Sequence, residues 1–205
     1  MNDALMHGKA MAGNAENDGR LLGSRWRIAG WGAAAALLLL PWFAMQVTDE
    51  VDWDPADFAV ASALVVGVGV TYELAARMTG NSAYRAAIGV ALAAAFILIW
   101  MNLAVGIIGT EDDPANLMYG GVLAVGIVGA VIARFRPHRM TGALVATALA
   151  QASVAVIALI AGMGYPASPP LEILGVNALF AALWLISAWL FRKAARQQSS
   201  AGAAP

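Results

Sequence analysis

One stretch of the sequence decides the class of fold. Residues 84–109 read YRAAIGVALAAAFILIWMNLAVGIIG, and Arg85 is the only charged residue among them. A helix that crosses a hydrocarbon core of about 30 Å needs about 20 mostly apolar residues. This stretch is long enough and apolar enough, so it predicts a transmembrane helix.

Five further stretches have the same character, which predicts an all-α, polytopic membrane bundle of six transmembrane helices. With Tyr84–Gly109, the predicted spans are Trp26–Val47, Asp57–Met78, Pro114–Phe135, Met140–Met163 and Pro169–Arg192. Short connections join them, so we expect no domain outside the membrane. The predicted organisation is a flexible cytoplasmic tail at 1–24, a transmembrane domain at 25–193 and a disordered cytoplasmic tail at 194–205.

The composition agrees with this fold class. Of the 205 residues, 60% are hydrophobic and 12% are charged, whereas about 25% are charged in a typical soluble domain. The net charge of −1 gives no electrostatic basis for binding nucleic acid. The absence of cysteine from the sequence excludes a disulfide framework, a thiolate metal site and a cysteine nucleophile.

The charges are sorted by side of the membrane. All 12 basic residues fall on one side of the six-span arrangement: Lys9, Arg20, Arg25, Arg27, Arg77, Arg85, Arg134, Arg136, Arg139, Arg192, Lys193 and Arg196. The connections on the other side are acidic, with Asp49, Glu50, Asp52, Asp54, Asp57, Glu111, Asp112, Asp113 and Glu172. Because basic residues concentrate on the cytoplasmic side of membrane proteins, both termini are predicted to be cytoplasmic.

Two spans begin with related sequences. Asp54-Pro55-Ala56-Asp57 opens the second span, and Asp113-Pro114-Ala115-Asn116 opens the fourth. In each, the aspartate is suited to cap the helix and the proline suits the first helical position. Either an internal repeat or shared helix-cap chemistry accounts for the likeness.

Glu73 is the only acidic residue well inside a predicted span. It stands four residues before Arg77, so the two side chains share a helix face and an interfacial ion pair is expected. The alternative is a carboxylate that couples proton or cation movement, with Tyr72 beside it, because ionisable residues in the bilayer often serve transport.

Three amide residues also lie inside predicted spans: Asn102, Gln151 and Asn177. Such amides commonly join helices through hydrogen bonds. The alternative is that they face one cavity and bind a polar substrate. Small residues at four-residue spacing predict close helix packing, at Ala59, Ala63 and Gly67, at Ala87, Ala91 and Ala95, and at Gly142, Ala146 and Ala150.

No enzyme motif is present, so we expect no catalytic residues and no cofactor. The acidic connections contain oxygen ligands of the kind that divalent cations prefer, but they lack the spacing of a calcium-binding loop. His7 and His138 lack metal-ligand spacing to each other. We therefore predict no metal site.

The chain resembles a family of small bacterial inner-membrane proteins that carry no assigned function. The resemblance covers about residues 37–162 and rests on AMQ at 44–46, TDEV at 48–51, YELA at 72–75, NLAVGIIG at 102–109, EDDPANLMY at 111–119 and IARFRP at 132–137. It implies a multipass protein of the bacterial inner membrane and supplies no site residues.

The sequence thus favours a non-enzymatic membrane component or accessory subunit. The alternative is a small transporter or channel for a cation or a small polar solute, with Glu73 as the coupling carboxylate. Its expected partners are the lipid bilayer and either a second copy of the chain or another membrane subunit.

Overall fold

The computed structural model describes residues 28–48 and 51–201, and within these ranges the chain is all-helical with no strand. The helices are α1 (Ile28–Ala44), α2 (Pro55–Arg77), α3 (Ser82–Ala104), α4 (Leu117–Ala133), α5 (Pro137–Ile160) and α6 (Pro170–Ala201), and a 3-10 turn (Pro114–Asn116) leads into α4. The predicted tail at 1–24 lies outside the described residues, as do Asp49 and Glu50. The all-α prediction is confirmed.

Five of the helices are long and apolar enough to cross a membrane. They are α2, α3, α5, α6 and α4 together with its leading 3-10 turn. The described part of α1 is apolar but shorter, at 17 residues. Many large apolar side chains of α4, including Ile127, Val131 and Ile132, are exposed, as expected for a surface that contacts lipid rather than water.

The predicted capping aspartates are confirmed at the start of α2 and at the start of the 3-10 turn that leads into α4. The Asp54 carboxylate accepts hydrogen bonds from the backbone N–H groups of Ala56 at 2.6 Å and Asp57 at 3.0 Å. The Asp57 carboxylate in turn accepts from the N–H of Asp54 at 2.9 Å. Asp113 repeats the first contact, since its carboxylate accepts from the N–H of Ala115 at 2.9 Å. Both sequences therefore use the same cap chemistry.

The chain divides between Gly69 and Val70 into two compact units. In the described part of the first unit, the Trp31 ring lies against Gly69, where a Cβ atom would come within 3.0 Å of the ring. The second unit contains the last two turns of α2 and all of α3 to α6. Within it α6 packs between α3 and α5, and α4 packs against α5.

Small residues and hydroxyl groups allow the close helix packing of the second unit. Ser187 of α6 donates a hydrogen bond to the Ala87 carbonyl of α3 at 2.7 Å, and both residues are fully buried. A Cβ atom at Gly129 of α4 would lie 2.9 Å from the Cβ of Ala143 of α5. The predicted packing of Ala87, Ala91 and Ala95 is thus present in α3, whose three alanines belong to or contact the core. In α5, by contrast, Gly142 and Ala146 are exposed.

One end of the second unit, the basic end, contains the start of α3, the α4–α5 turn and the last third of α6. The Tyr84 hydroxyl donates to the Phe135 carbonyl at 2.8 Å, and the Tyr84 and Phe191 ring centroids are 5.2 Å apart. Every Lys and Arg of the described residues lies in these segments or in the nearby end of α2: Arg77, Arg85, Arg134, Arg136, Arg139, Arg192, Lys193 and Arg196.

The opposite end, the acidic end, is closed by a structured loop between α3 and α4. The Asn116 side chain accepts hydrogen bonds from the N–H groups of Ile107 and Ile108, both at 3.0 Å, and donates to the Thr110 carbonyl at 2.7 Å. Ser168, just before α6, accepts from the Gly109 N–H at 3.0 Å. Glu111, Asp112, Asp113 and Glu172 belong to this end, so the sorted charges of the sequence occupy opposite ends of the folded unit.

Two helix ends differ from the predictions. The span expected to reach Gly109 ends at Ala104, because Gly106 and Gly109 adopt left-handed φ values of 71° and 74° that turn the chain. We expected a disordered tail at 194–205, but α6 continues to Ala201. Ala194 is fully buried, and the Asn81 side chain donates to Gln197 at 3.1 Å. Alanine, arginine and glutamine are strong helix formers, and this anchoring extends the helix.

Candidate functional site

A hydrogen-bonded polar network lies inside the second unit and joins α4, α5 and α6. Gln151 of α5 donates from Nε2 to the Asn177 Oδ1 of α6 at 2.9 Å. Asn177 donates from Nδ2 to the Tyr119 hydroxyl of α4 at 2.9 Å and to the Ile173 carbonyl at 2.8 Å. The Trp184 indole N–H is 3.4 Å from the Gln151 Oε1, which is a long hydrogen bond.

The network is isolated from the surface of the unit. Its four side chains, Tyr119, Gln151, Asn177 and Trp184, are each at most 4% exposed. A polar group in the membrane interior must find its hydrogen-bond partners within the protein, because no water is available there. Asn177 meets this requirement fully, since its oxygen and both of its amide hydrogens are used.

The chemistry of these four groups favours cohesion between helices over catalysis. Carboxamides are neutral and do not transfer protons near neutral pH, and the network contains no carboxylate, amine or imidazole group. It therefore provides neither a general base nor a site for a cation that requires a charged ligand. What it does provide is a set of directional contacts that fix how α4, α5 and α6 are rotated against one another.

The structure brings two of the predicted site residues together and adds two that sequence reasoning missed. Gln151 and Asn177 are in direct contact. Tyr119 and Trp184 were not predicted as partners. A signal for Trp184 was present, because its indole lies near the middle of α6, whereas tryptophans of membrane proteins concentrate at the interfaces where their N–H meets water.

Asn102 lies apart from this network. Its Nδ2 donates to the Leu98 carbonyl of its own helix at 2.7 Å. Its Oδ1 is buried and accepts no hydrogen bond from the described residues. None of the hydrogen bonds of the network reaches Asn102, so only two of the three predicted amides are hydrogen-bonded to each other.

Glu73 forms the ion pair that its spacing indicated. Its Oε2 lies 2.9 Å from the Nη2 of Arg77, and the two side chains are 20% and 65% exposed, respectively. The neighbouring Tyr72 lies over Gly89 of α3, where a Cβ atom would be 3.4 Å from the tyrosine ring. The hydrogen bonds of the buried network reach neither residue.

Most of the described acidic residues serve as helix caps and loop residues. Within residues 28–48 and 51–201, no group of three or more histidine, aspartate or glutamate side chains is placed to hold a metal ion. Asp54, Asp57 and Asp113 cap helices, and Asn116 organises the loop before α4.

Comparison of the chain with protein-family models, with curated proteins and with solved structures gives no match.

Proposed function

We propose that this chain is a non-enzymatic component of the bacterial inner membrane that acts as an accessory or scaffold subunit. Its long apolar helices supply the membrane-spanning part. In this role it offers a stable helical surface to a second copy or to another membrane subunit, and its own interior performs no chemistry.

The observation that carries this proposal is that the side chains of the polar network are buried and hydrogen-bonded to one another. Gln151 and Asn177, two of the amides proposed for a transport pathway, bond to each other and to aromatic partners, and all four side chains are at least 96% buried. A substrate would have to break these contacts before it reached either amide. Side chains that already satisfy one another serve packing better than they serve ligand capture.

The charge distribution supports the proposed orientation. The described Lys and Arg residues occupy the basic end of the second unit, and the acidic loops occupy its other end. Basic residues are retained on the cytoplasmic side during insertion. We therefore propose that the basic end faces the cytoplasm, together with both termini.

A small transporter or channel is the second candidate, and Glu73 is the residue that supports it. The Glu73 side chain is 20% exposed and its Arg77 partner is itself largely exposed. A carboxylate within a membrane-spanning helix often serves the movement of protons or cations. This candidate ranks second because the hydrogen bonds of the buried network do not include Glu73.

Cysteine labelling distinguishes the two candidates, because the natural chain contains no cysteine. Ala148 is buried one turn from Gln151 on α5, and Glu111 is an exposed loop residue at the acidic end. A water-soluble maleimide should label Glu111→Cys rapidly and leave Ala148→Cys unlabelled in intact membranes. Labelling of Ala148→Cys at a comparable rate would show water in the interior and would favour transport.

The accessory role is tested by native mass spectrometry after gentle extraction. It predicts a complex of fixed stoichiometry, either with a second copy or with one other membrane protein. A chain that is monomeric in every mild detergent and in lipid nanodiscs would contradict the accessory role. The same preparation measured for Glu73→Gln should retain its stoichiometry, since Glu73 lies outside the proposed packing role.

A further inference from the structure

We propose that the basic end of the second unit binds the headgroup of an anionic phospholipid, at the junction where the start of α3, the α4–α5 turn and the last third of α6 meet. Binding of such a lipid goes beyond the accessory role, because it concerns a ligand of the bilayer itself.

The junction is a built contact between three segments. The Tyr84 hydroxyl donates to the Phe135 carbonyl at 2.8 Å. The Tyr84 ring also meets the Phe191 ring edge to face, with centroids 5.2 Å apart. Tyr84 and Phe191 are buried. The backbone around the junction is therefore fixed, and the residues next to it in sequence are held near one another.

Four arginines flank this junction. Arg85 follows Tyr84, Arg134 and Arg136 stand on either side of Phe135, and Arg192 follows Phe191. All four are exposed, and none forms an ion pair with any described residue. The one acidic residue of the second unit near this end, Glu73, is paired with Arg77. Among the described residues, the junction thus presents several positive charges without paired acidic side chains, an arrangement that suits an anion.

The α4–α5 turn contributes two of these arginines through an unusual backbone. Arg134 and Phe135 both adopt left-handed conformations, with φ values of 50° and 55°. Such conformations are uncommon for residues other than glycine, and here the Tyr84 hydrogen bond holds them in place. Guanidinium groups present several N–H donors that match phosphate oxygens.

The surroundings select a lipid rather than a soluble anion. Lys193 lies 5.7 Å from the centre of the Trp189 ring, a pairing that is typical of the membrane–water interface. Phe135 in the same turn, and Ile132 and Val131 just before it, are exposed apolar side chains. A phospholipid satisfies both parts of this surface, with its phosphate on the arginines and its acyl chain along the apolar side chains.

Native mass spectrometry with added lipid tests the proposal on the full-length protein in detergent. Phosphatidylglycerol and phosphatidylcholine with identical acyl chains are titrated separately, and the apparent Kd of the first bound lipid is measured. We expect tighter binding of phosphatidylglycerol. Single substitutions to glutamine are made at Arg85, Arg134, Arg136 and Arg192. Each should weaken phosphatidylglycerol binding about fivefold and leave phosphatidylcholine binding unchanged.

Matched variants separate charge from folding. Arg134→Lys with Arg136→Lys keeps both positive charges and should retain most of the preference for phosphatidylglycerol. Glu111→Gln with Asp112→Asn changes two charges at the acidic end and should leave lipid binding unaltered. Circular dichroism should show equal helix content in all variants, so that a loss confined to the glutamine variants reports lost recognition.

Three results would overturn the proposal. They are equal affinity for the two lipids, an unchanged preference in the variant with all four arginines replaced by glutamine, and full competition by glycerol phosphate, which carries the phosphate without acyl chains. Any of these would leave the accessory role standing, because that role is judged by the stoichiometry of the protein complex.

Discussion

Asn177 is the residue on which the interior of the second unit depends. Its side chain makes hydrogen bonds to two other helices and one to its own, at 2.8–2.9 Å. Hydrogen bonds between membrane helices contribute about 0.6 kcal/mol on average and at most about 1.7 kcal/mol. A residue that makes two of them at once should therefore be visible in stability measurements.

We expect Asn177→Leu to lower the free energy of unfolding by about 1–2 kcal/mol, because it removes both interhelical bonds and leaves Gln151 and Tyr119 short of a partner. The measurement is an unfolding titration with denaturing detergent. Ser153→Ala is the control, since the exposed Ser153 hydroxyl bonds only to the Leu149 carbonyl of its own helix. Equal effects of the two substitutions would contradict the proposed role of the network.

The coupling between Gln151 and Asn177 is measured separately by a double-mutant cycle. Gln151→Leu and Asn177→Leu together should cost less than the sum of the single changes, by about 0.6 kcal/mol. Strict additivity would show that the bond seen between them contributes nothing to stability.

Sequence reasoning identified these amides individually but not their contact. Gln151 and Asn177 stand out because an amide in an apolar run needs a partner. Which partner it finds depends on how each helix is rotated about its axis, and the small residues that set this rotation occur on several faces. Tyr119 belongs to the string EDDPANLMY at 111–119, and nothing in that pattern predicts that its hydroxyl reaches α6.

At the scale of helices, α4 and α5 approach closely because α4 has glycine at the contact. Gly126 lies against Thr147, where a Cβ atom would be 3.3 Å from the threonine hydroxyl, and Gly129 lies against Ala143. Glycine allows this approach of the helices. A methyl group at Gly129 requires α5 to shift, whereas at Gly126 the Thr147 side chain has to give by only a few tenths of an ångström.

We expect Gly129→Ala to destabilise the protein, because overpacking costs about 1–3 kcal/mol. The higher helix propensity of alanine offsets up to about 1 kcal/mol of that cost. Gly121→Ala in the same helix is the control, because a Cβ atom there would meet nothing within 4 Å. Thermal unfolding in detergent compares the two. A Gly129→Ala protein as stable as the Gly121→Ala protein would show that α4 and α5 can separate freely.

The loop before α4 offers a local prediction. The amides of Ile107 and Ile108 both donate to the Asn116 side chain, and each bond contributes about 0.5–1.5 kcal/mol. Asn116→Ala should therefore speed hydrogen exchange at these two amides by about tenfold or more. Asp112→Ala, a neighbouring loop change without such bonds, should leave their exchange unaltered, and a similar acceleration there would contradict the assignment.

Local chemistry explains which helix ends were predictable. The start of α2 follows from Asp54, Pro55 and Asp57, which lie within four residues of one another and need no tertiary contact. The end of α6 does not, because its continuation past Lys193 is anchored by burial of Ala194 and by a bond from Asn81 more than 100 positions earlier. A composition rich in serine and alanine gave no indication of that contact.

At the scale of the whole molecule, the separation of charge is a property of the folded second unit as well as of the sequence. The contacts of Tyr84 with Phe135 and Phe191 place basic segments from three helices at one end. The bonds of Asn116 and Ser168 gather the acidic loops at the other. The alternation predicted along the chain is thus consistent with the way its helices pack.

Reporter fusions test the orientation that this separation predicts. A reporter that is active only outside the cytoplasm should be inactive after Pro205 and active after Asp112, because the positive-inside rule retains the basic end in the cytoplasm. A fluorescent protein that matures only in the cytoplasm should show the opposite pattern. Activity of the first reporter at the C-terminus would reverse the topology.

The polar network can form only after α6 has been synthesised, because α6 supplies Asn177 and Trp184. The ribosome delivers α4 and α5 before α6, so Tyr119 and Gln151 reach the membrane while Asn177 is still to come. Until the last helix arrives, these two earlier side chains lack the amide that joins them. A chain that stops before Pro170 lacks Asn177 and Trp184, so Tyr119 and Gln151 lose the hydrogen-bond partners that α6 supplies and remain as polar groups in an apolar surrounding.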